Sequence, residues 1–121
     1  MATFFYRAKY SASAITGMVA NPQDREGPLR SIAKACGVEI ESAYFAADSA
    51  EVMGFATGTS SAKNAFVLMA YASGAIDRDG SECVEVTDAK AFEACMRKAS
   101  KVIDSYKVAG CSDLLLRPLD L

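Results

Sequence analysis

The chain has 121 residues, of which 51% are hydrophobic and 23% are charged, and it contains no histidine. This length suits one domain with a single core, and a net charge of -2 provides no basic surface that would neutralise nucleic-acid phosphates. No apolar run approaches the roughly 20 residues that cross a bilayer, so we expect a cytoplasmic protein whose partners include neither nucleic acid nor a membrane.

The chain opens with a predicted strand over residues 3–10, in which two kinds of side chain alternate. Successive side chains of a strand point to opposite faces, so Phe5, Arg7 and Lys9 share one face, while the other face is mostly aromatic. The pattern leaves open which face lies under the helices. The charges favour placing Arg7 and Lys9 on the uncovered face.

A helical region is predicted between this strand and Gly37, with an interruption in its middle. Asn21-Pro22 must break or kink the helix, because proline lacks an amide donor and restrains the residue before it. Asp24 is suited to cap the restarted helix, and Gly37 is suited to end it. The sequence therefore predicts two helical pieces in succession.

Two further strands are predicted over residues 38–46 and 52–57, joined by the polar turn Asp48-Ser49-Ala50-Glu51. A turn this short indicates a hairpin. The second helix begins after Ser60-Ser61 and continues to Gly74. Because this helix is apolar almost all round, we expect it to be deeply buried.

The last third of the chain is predicted to hold a turn, a strand and a long helix. The turn is Asp77-Arg78-Asp79-Gly80, the fourth strand covers residues 81–87, and the helix covers residues 88–109. This helix carries a continuous apolar stripe opposite a charged face. Residues 110–121 form an apolar tail, which we expect another surface to cover.

The predicted order is strand, helix, strand, strand, helix, strand, followed by the long helix. With right-handed crossovers this order gives a ferredoxin-like βαββαβ two-layer sandwich of the α+β class, in one domain over residues 1–121. Residues 1–87 form its βαββαβ core. The second face of the sheet carries apolar side chains that need cover, which predicts a homodimer or a higher homo-oligomer.

Several short stretches within residues 1–95 share one resemblance. They are Met1-Ala2-Thr3-Phe4 running to Lys9-Tyr10-Ser11, Ala35-Cys36-Gly37-Val38, Ser42-Ala43-Tyr44 and Ser73-Gly74. In these stretches the chain resembles the GYD domain family of the dimeric α/β-barrel superfamily. The Gly-x-Tyr-Asp turn that names the family is replaced here by Asp48-Ser49-Ala50-Glu51. The resemblance implies a dimeric α/β-barrel fold and no particular reaction.

The candidate ligand-binding residues come from the predicted strands. They are Phe5, Arg7, Lys9, Tyr44, Phe55 and Glu85. One hypothesis is a pocket in which Arg7 and Lys9 bind a small anion between apolar walls. The alternative, which we favour, is a cross-strand ion pair of these cations with Glu85 at a dimer interface. Tyr44 is the phenol that we would test first for acid chemistry.

No catalytic residue and no metal site is predicted. The four cysteines, Cys36, Cys83, Cys95 and Cys111, fall in different predicted elements without the close pairs that metal and redox sites use. We therefore expect no cofactor. The sequence favours a non-enzymatic homodimer that binds a small molecule or another protein. The alternatives are a cofactor-independent oxygenase or isomerase, by analogy of fold, and an assembly subunit of a larger oligomer.

Overall fold

The computed structural model of the protein describes residues 1–106. Two compact units are present, Met1–Val86 and a second unit that begins at Thr87. The strands are Ala2–Tyr10 (β1), Glu39–Ile40 (β2), Tyr44–Ala46 (β3), Glu51–Gly58 (β4) and Ile76–Val86 (β5). The helices are Ala12–Ala20 (α1), Glu26–Cys36 (α2), Ser60–Ala72 (α3) and, in the second unit, Ala89–Val102 (α4).

The strands form one open antiparallel sheet in the order β2, β4, β1, β5, and β3 also pairs with β4. β1 lies between two neighbours, so its backbone groups are hydrogen-bonded along both sides. The prediction of an α+β protein is confirmed. The described part of the chain combines this five-stranded sheet with four α-helices.

The second predicted strand is divided in two by residues 41–43. The amides of Glu41 and Ser42 both donate to the carbonyl oxygen of Phe55, at 2.8 and 3.2 Å, and Ser42 Oγ accepts from the Phe55 amide at 3.0 Å. Glu41 and Ser42 thus both lie opposite Phe55. Two residues opposite one on the neighbouring strand form a β-bulge, which bends the strand. The hairpin prediction is nevertheless confirmed, because β3 pairs antiparallel with β4 across the turn.

The helical break at Asn21-Pro22 is confirmed, since α1 ends at Ala20 and α2 begins at Glu26. The Asp24 carboxylate accepts hydrogen bonds from the amides of Glu26 and Gly27, both at 3.1 Å. These amides have no partner within the helix, so the carboxylate stabilises its first turn. At the other end, Gly37 closes α2 with a φ of 91°, a conformation that glycine adopts without steric cost.

The core lies between one face of the sheet and helices α2 and α3. Its buried members are almost all apolar: Phe4, Tyr6, Ala33, Val38, Ile40, Val52, Ala56 and Phe66. Phe4 and Tyr6 alternate with Phe5 and Arg7 along β1, so the covered face is that of Phe4 and Tyr6. We call the opposite face, which carries Phe5, Arg7 and Lys9, the outer face of the sheet.

The prediction that the second helix is deeply buried is wrong. Within α3 only Phe66 is buried, and Leu68 is 69% exposed. A helix that packs on one face of a single sheet has only one covered side, whatever the composition of its other side. The apolar character of α3 therefore leaves an exposed apolar surface.

The predicted turn at residues 77–80 lies inside a strand, because β5 begins at Ile76. The pairing of β1 with β5 shifts register between Arg7 and Lys9, and the extra residues of β5 form a bulge there. Ser81 closes this bulge: its Oγ accepts from the Lys9 amide at 2.8 Å and donates to the Asp77 carbonyl oxygen at 2.5 Å. Gly80 has a φ of 85° in the bulge.

In the second unit, Asp88 Oδ1 accepts a hydrogen bond from the Ala91 amide at 2.7 Å and caps α4. The α-helix ends at Val102 and tightens into a 3₁₀ turn over Ile103–Ser105, whereas the sequence predicts a helix up to residue 109. Its apolar stripe is exposed at Phe92 and Met96. The predicted tail over residues 110–121 lies outside the described residues. No helix in the described part is long and apolar enough to cross a membrane.

Candidate functional site

A cavity of about 330 Å³ lies on the covered side of the sheet, between β1, β4 and β5 and the helices α2 and α3. We call it the sheet–helix cavity. Its walls are predominantly apolar and include Leu29, Ile32, Val52, Phe66, Met69 and Ile76. This volume is at the lower end of the range typical of small-molecule sites. The cavity is therefore suited to a compact apolar ligand.

The polar residues that line the cavity include Tyr6, Tyr10, Arg25 and Cys83, which we consider in turn. The others are Arg7, Tyr71, Ser73, Ser81 and Glu82. Tyr6 and Tyr10 come from the covered face of β1, and Cys83 lies opposite Tyr6 on β5. Arg25 is the residue that precedes α2 and adopts the N-cap position. A few polar groups among apolar walls are the arrangement that orients a bound small molecule.

The Tyr6 hydroxyl is already used within the protein. It donates a hydrogen bond of 2.7 Å to the main-chain carbonyl oxygen of Ser42. Burial raises the pKa of Tyr6 to about 12, although the nearby Arg30 guanidinium lowers it somewhat. The phenol is therefore a fixed, neutral donor, and its ring serves as a wall of the cavity.

The Tyr10 hydroxyl is less constrained than that of Tyr6. Burial raises the pKa of Tyr10, and the neighbouring Arg25 guanidinium partly offsets this effect. A guanidinium is a donor only, so it cannot accept the phenolic proton. Tyr10 and Arg25 thus both present donor groups to the cavity.

Cys83 is the thiol of this cavity. Burial raises its pKa, and the charge of Lys63 lowers it by a smaller amount. The nucleophilic form of cysteine is the thiolate, so this environment makes the Cys83 sulfur a poor nucleophile at neutral pH. We assign it to the cavity wall.

The outer face brings together five of the six candidate residues taken from the sequence. The ring centroids of Phe5 and Phe55 lie 5.7 Å apart in an edge-to-face arrangement. Arg7 lies opposite Met53, which in turn lies opposite Tyr44, so the three share this face with Lys9. The shared face of all five follows directly from the uninterrupted β1–β4–β3 pairing.

The expectation that Glu85 faces Arg7 and Lys9 is wrong. Glu85 lies opposite Phe4, so it belongs to the covered side of the sheet. The strand partner of Arg7 on β5 is Glu82. Strand register is set by pairing between distant residues, and the alternation of β5 by itself did not identify the partner.

The charged partner of Arg7 is Glu51, on β4. Arg7 Nε donates to Glu51 Oε2 at 3.2 Å, Nη2 donates to the other carboxylate oxygen, and Ser49 Oγ donates to Oε1 at 3.1 Å. The hydrogen bond from Arg7 lowers the pKa of Glu51 and raises the pKa of Arg7. Solvent reaches only 6% of the Glu51 side chain but 40% of the Arg7 side chain. Water therefore still screens the pair.

A second hollow on the outer face adjoins this ion pair. It is bordered by Arg7, Lys9, Ser49, Glu51, Gly80, Ser81 and Glu82. Its two cations are matched by two carboxylates, one of which holds Arg7 in a two-point contact. The charge balance does not favour an anion here, and the sheet–helix cavity is the better candidate for ligand binding.

Arg7 is the one candidate residue from the sequence that lines the cavity. Tyr6, Tyr10, Arg25 and Cys83 were not among the candidates. Tyr10 shares the aromatic side of the first strand, and Arg25 follows the capping Asp24, so both positions were visible in the sequence. The sequence did not show that Tyr10 and Arg25 meet at one cavity, because this depends on how α2 packs against β1.

Comparisons of the chain with protein-family models, with curated proteins and with solved structures found no significant match.

Proposed function

We propose that the protein binds a small apolar molecule in the sheet–helix cavity and has no catalytic activity of its own. The observation that carries this proposal is the cavity itself, with about 330 Å³ of space, apolar walls and a few polar side chains. Ligand binding is favourable in such a cavity, because the ligand replaces water in contact with the apolar walls.

The chemistry of the polar side chains supports binding over catalysis. The Tyr6 hydroxyl is held by the Ser42 carbonyl oxygen, and its pKa of about 12 keeps it protonated. Burial likewise raises the pKa of Cys83. A general acid or nucleophile works best with a pKa near the operating pH, and these two groups are displaced away from it.

We further propose a ferredoxin-like arrangement that forms homodimers through the outer face of the sheet, as in the dimeric α/β-barrel proteins. The antiparallel order β2, β4, β1, β5 supports the arrangement. Phe55 and Val84 are exposed large apolar residues on this face, and a twofold-related copy would cover them. The same face carries Lys9 and Glu82, so the two copies can place opposite charges against each other.

The binding proposal is tested with an uncharged aromatic probe, naphthylethanol, whose fluorescence is followed during titration with the protein. Ala70 lines the cavity, so Ala70→Phe should fill part of it and weaken binding by at least tenfold. Leu68→Phe is the matched control, because Leu68 lies on the same helix and is exposed. Equal weakening by both substitutions, or no binding by the unaltered protein, would contradict a ligand site in the cavity.

Native mass spectrometry of the untagged protein complements this titration. A defined additional mass that is retained by the unaltered protein and lost in Ala70→Phe identifies a natural occupant. The same spectrum reports the number of subunits.

A further inference from the structure

Two arginines line the cavity, Arg7 and Arg25, and Arg25 is the one that no carboxylate pairs with in the described part of the chain. Arg7 pairs with Glu51, and Arg30 pairs with Glu26 at 3.0 Å. Among the described residues the Arg25 guanidinium makes one hydrogen bond, from Nη1 to the Gln23 side-chain oxygen at 2.7 Å. A guanidinium has five N–H donors, so most of the Arg25 donors remain available.

The acidic neighbours of Arg25 in sequence are already engaged. The Asp24 carboxylate accepts two amide hydrogen bonds at the start of α2, and the Glu26 carboxylate holds Arg30. Glu82 also borders the cavity, but no salt bridge joins it to Arg25. The cation at the cavity therefore has no internal counter-ion among the described residues.

Tyr10 adds a second donor at the same place. Tyr10 and Arg25 both line the cavity, and the Arg25 guanidinium offsets part of the burial effect that raises the pKa of Tyr10. Because Arg25 only donates, the phenolic proton of Tyr10 is left for another acceptor. One cation and one hydroxyl donor beside apolar walls match a molecule with an anionic oxygen group at one end and an apolar body.

We infer that the ligand of the sheet–helix cavity is a compact apolar carboxylate, with its carboxylate held by Arg25 and Tyr10 and its body packed against Leu29, Phe66 and Met69. This inference rests on the proposed binding function and adds the chemical class of the ligand. A carboxylate matches the planar guanidinium with two parallel hydrogen bonds. The cavity of about 330 Å³ limits the body to a small ring system or a short chain.

The test compares pairs of probes that differ only in the acidic group. The flat pair is naphthylacetate and naphthylethanol, and the flexible pair is octanoate and octanol. Isothermal titration calorimetry of each probe with the full chain should show each carboxylate binding about tenfold more tightly than its alcohol, as one charge-assisted hydrogen-bond pair provides.

Two substitutions assign the preference to its residues. Arg25→Gln should abolish the difference between carboxylate and alcohol, and Tyr10→Phe should reduce it about threefold. Lys34→Gln is the matched control: Lys34 is an exposed cation near the end of the same helix and does not line the cavity. It removes the same charge and should leave the tenfold difference in place.

The outcomes separate this inference from the proposed function. Equal affinities for carboxylate and alcohol, or an equal loss of preference in Lys34→Gln, would overturn the inference while the binding function stands. Failure of all four probes to bind would overturn both. A carboxylate preference that disappears only with Arg25→Gln supports the inference, and circular dichroism of each variant verifies that the fold is retained.

Discussion

The hydroxyl of Tyr6 donates a 2.7 Å hydrogen bond to the carbonyl oxygen of Ser42, and Gly54 provides the space in which the two meet. Gly54 lies directly opposite Tyr6 in the pairing of β1 with β4. A Cβ atom on Gly54 would lie 2.0 Å from the Ser42 carbonyl oxygen and 2.9 Å from the Tyr6 hydroxyl oxygen. The bulge at residues 41–43 therefore depends on the absence of a side chain at one position of the neighbouring strand.

Gly54→Ala should destabilise the protein by roughly 2–3 kcal/mol, since the added methyl group forces a backbone shift in a packed region. Urea unfolding monitored by circular dichroism measures this change. Gly17→Ala is the control, because Gly17 lies in α1 with no atom within 4 Å of the added carbon. The free energy of unfolding of the control should rise by about 0.5–1 kcal/mol, because alanine has a higher helix propensity than glycine. A loss of similar size in both variants would contradict the clash at Gly54.

Tyr6→Phe should lower the free energy of unfolding at neutral pH by about 1–2 kcal/mol, because it leaves the Ser42 carbonyl oxygen without this donor. The pKa of Tyr6 is about 12 in the folded protein, against an ordinary value of 10.0. The stabilisation that the protonated Tyr6 hydroxyl provides is therefore complete below pH 10 and is lost as the pH rises toward 12. Urea titrations from pH 8 to 11 should show a steeper alkaline decline for the unaltered protein than for Tyr6→Phe; parallel curves would contradict the raised pKa.

The Glu51 carboxylate should make stability sensitive to acid. Its pKa is lowered from 4.5 mainly by the hydrogen bond from Arg7, so its contribution is present above pH 4.5 and is lost as the pH falls through the lower folded value. In urea titrations, the free energy of unfolding of Glu51→Gln should decline less between pH 5 and pH 3 than that of the unaltered protein. Glu93→Gln removes a carboxylate from an exposed pair with Arg97 and should leave the acid decline unchanged.

The cysteines should differ in their rate of alkylation by iodoacetamide at pH 8. Cys95 is exposed and should react faster than Cys83, because partial burial protects Cys83 and raises its pKa. Peptide mapping by mass spectrometry resolves each site. Occupation of the cavity by naphthylacetate should slow Cys83 further and leave Cys95 unaffected; equal protection of both would place the probe elsewhere.

Homodimer formation through the outer face should be sensitive to charge at its apolar pair. Phe55→Asp places a carboxylate next to Phe5 and should shift the sedimentation coefficient to that of a monomer. Leu68→Asp introduces the same charge at an exposed position of α3 and should preserve the dimer. A dimer that survives Phe55→Asp, or an unaltered protein that sediments as a monomer, would contradict the proposed interface.

The sequence was most informative where a local signal determines local structure. Asn21-Pro22 ended α1, Asp24 capped the next helix and Gly37 closed it, since each acts through its own backbone or side chain within a few residues. The alternation along β1 likewise separated Phe5 and Arg7 from the buried side. These features need no knowledge of the rest of the chain.

The features that the sequence did not predict depend on contacts between distant residues. The partner of Arg7 is Glu51, 44 positions away, and Glu85 turned out to lie opposite Phe4. Gly54 reads in the sequence as an ordinary strand glycine, and its role became visible only with Ser42 packed against it. Register and packing decide such contacts, and periodicity does not encode them.

The bulge at residues 77–80 has a further consequence for how copies of the chain meet in solution. β5 is the last strand of the sheet, and a long flat outer strand invites pairing with another molecule. Here the regular edge is interrupted by Asp77, Arg78 and Asp79, all exposed, and by the left-handed Gly80. A second strand cannot align along β5 past this point without burying charge, so the segment limits edge-to-edge aggregation.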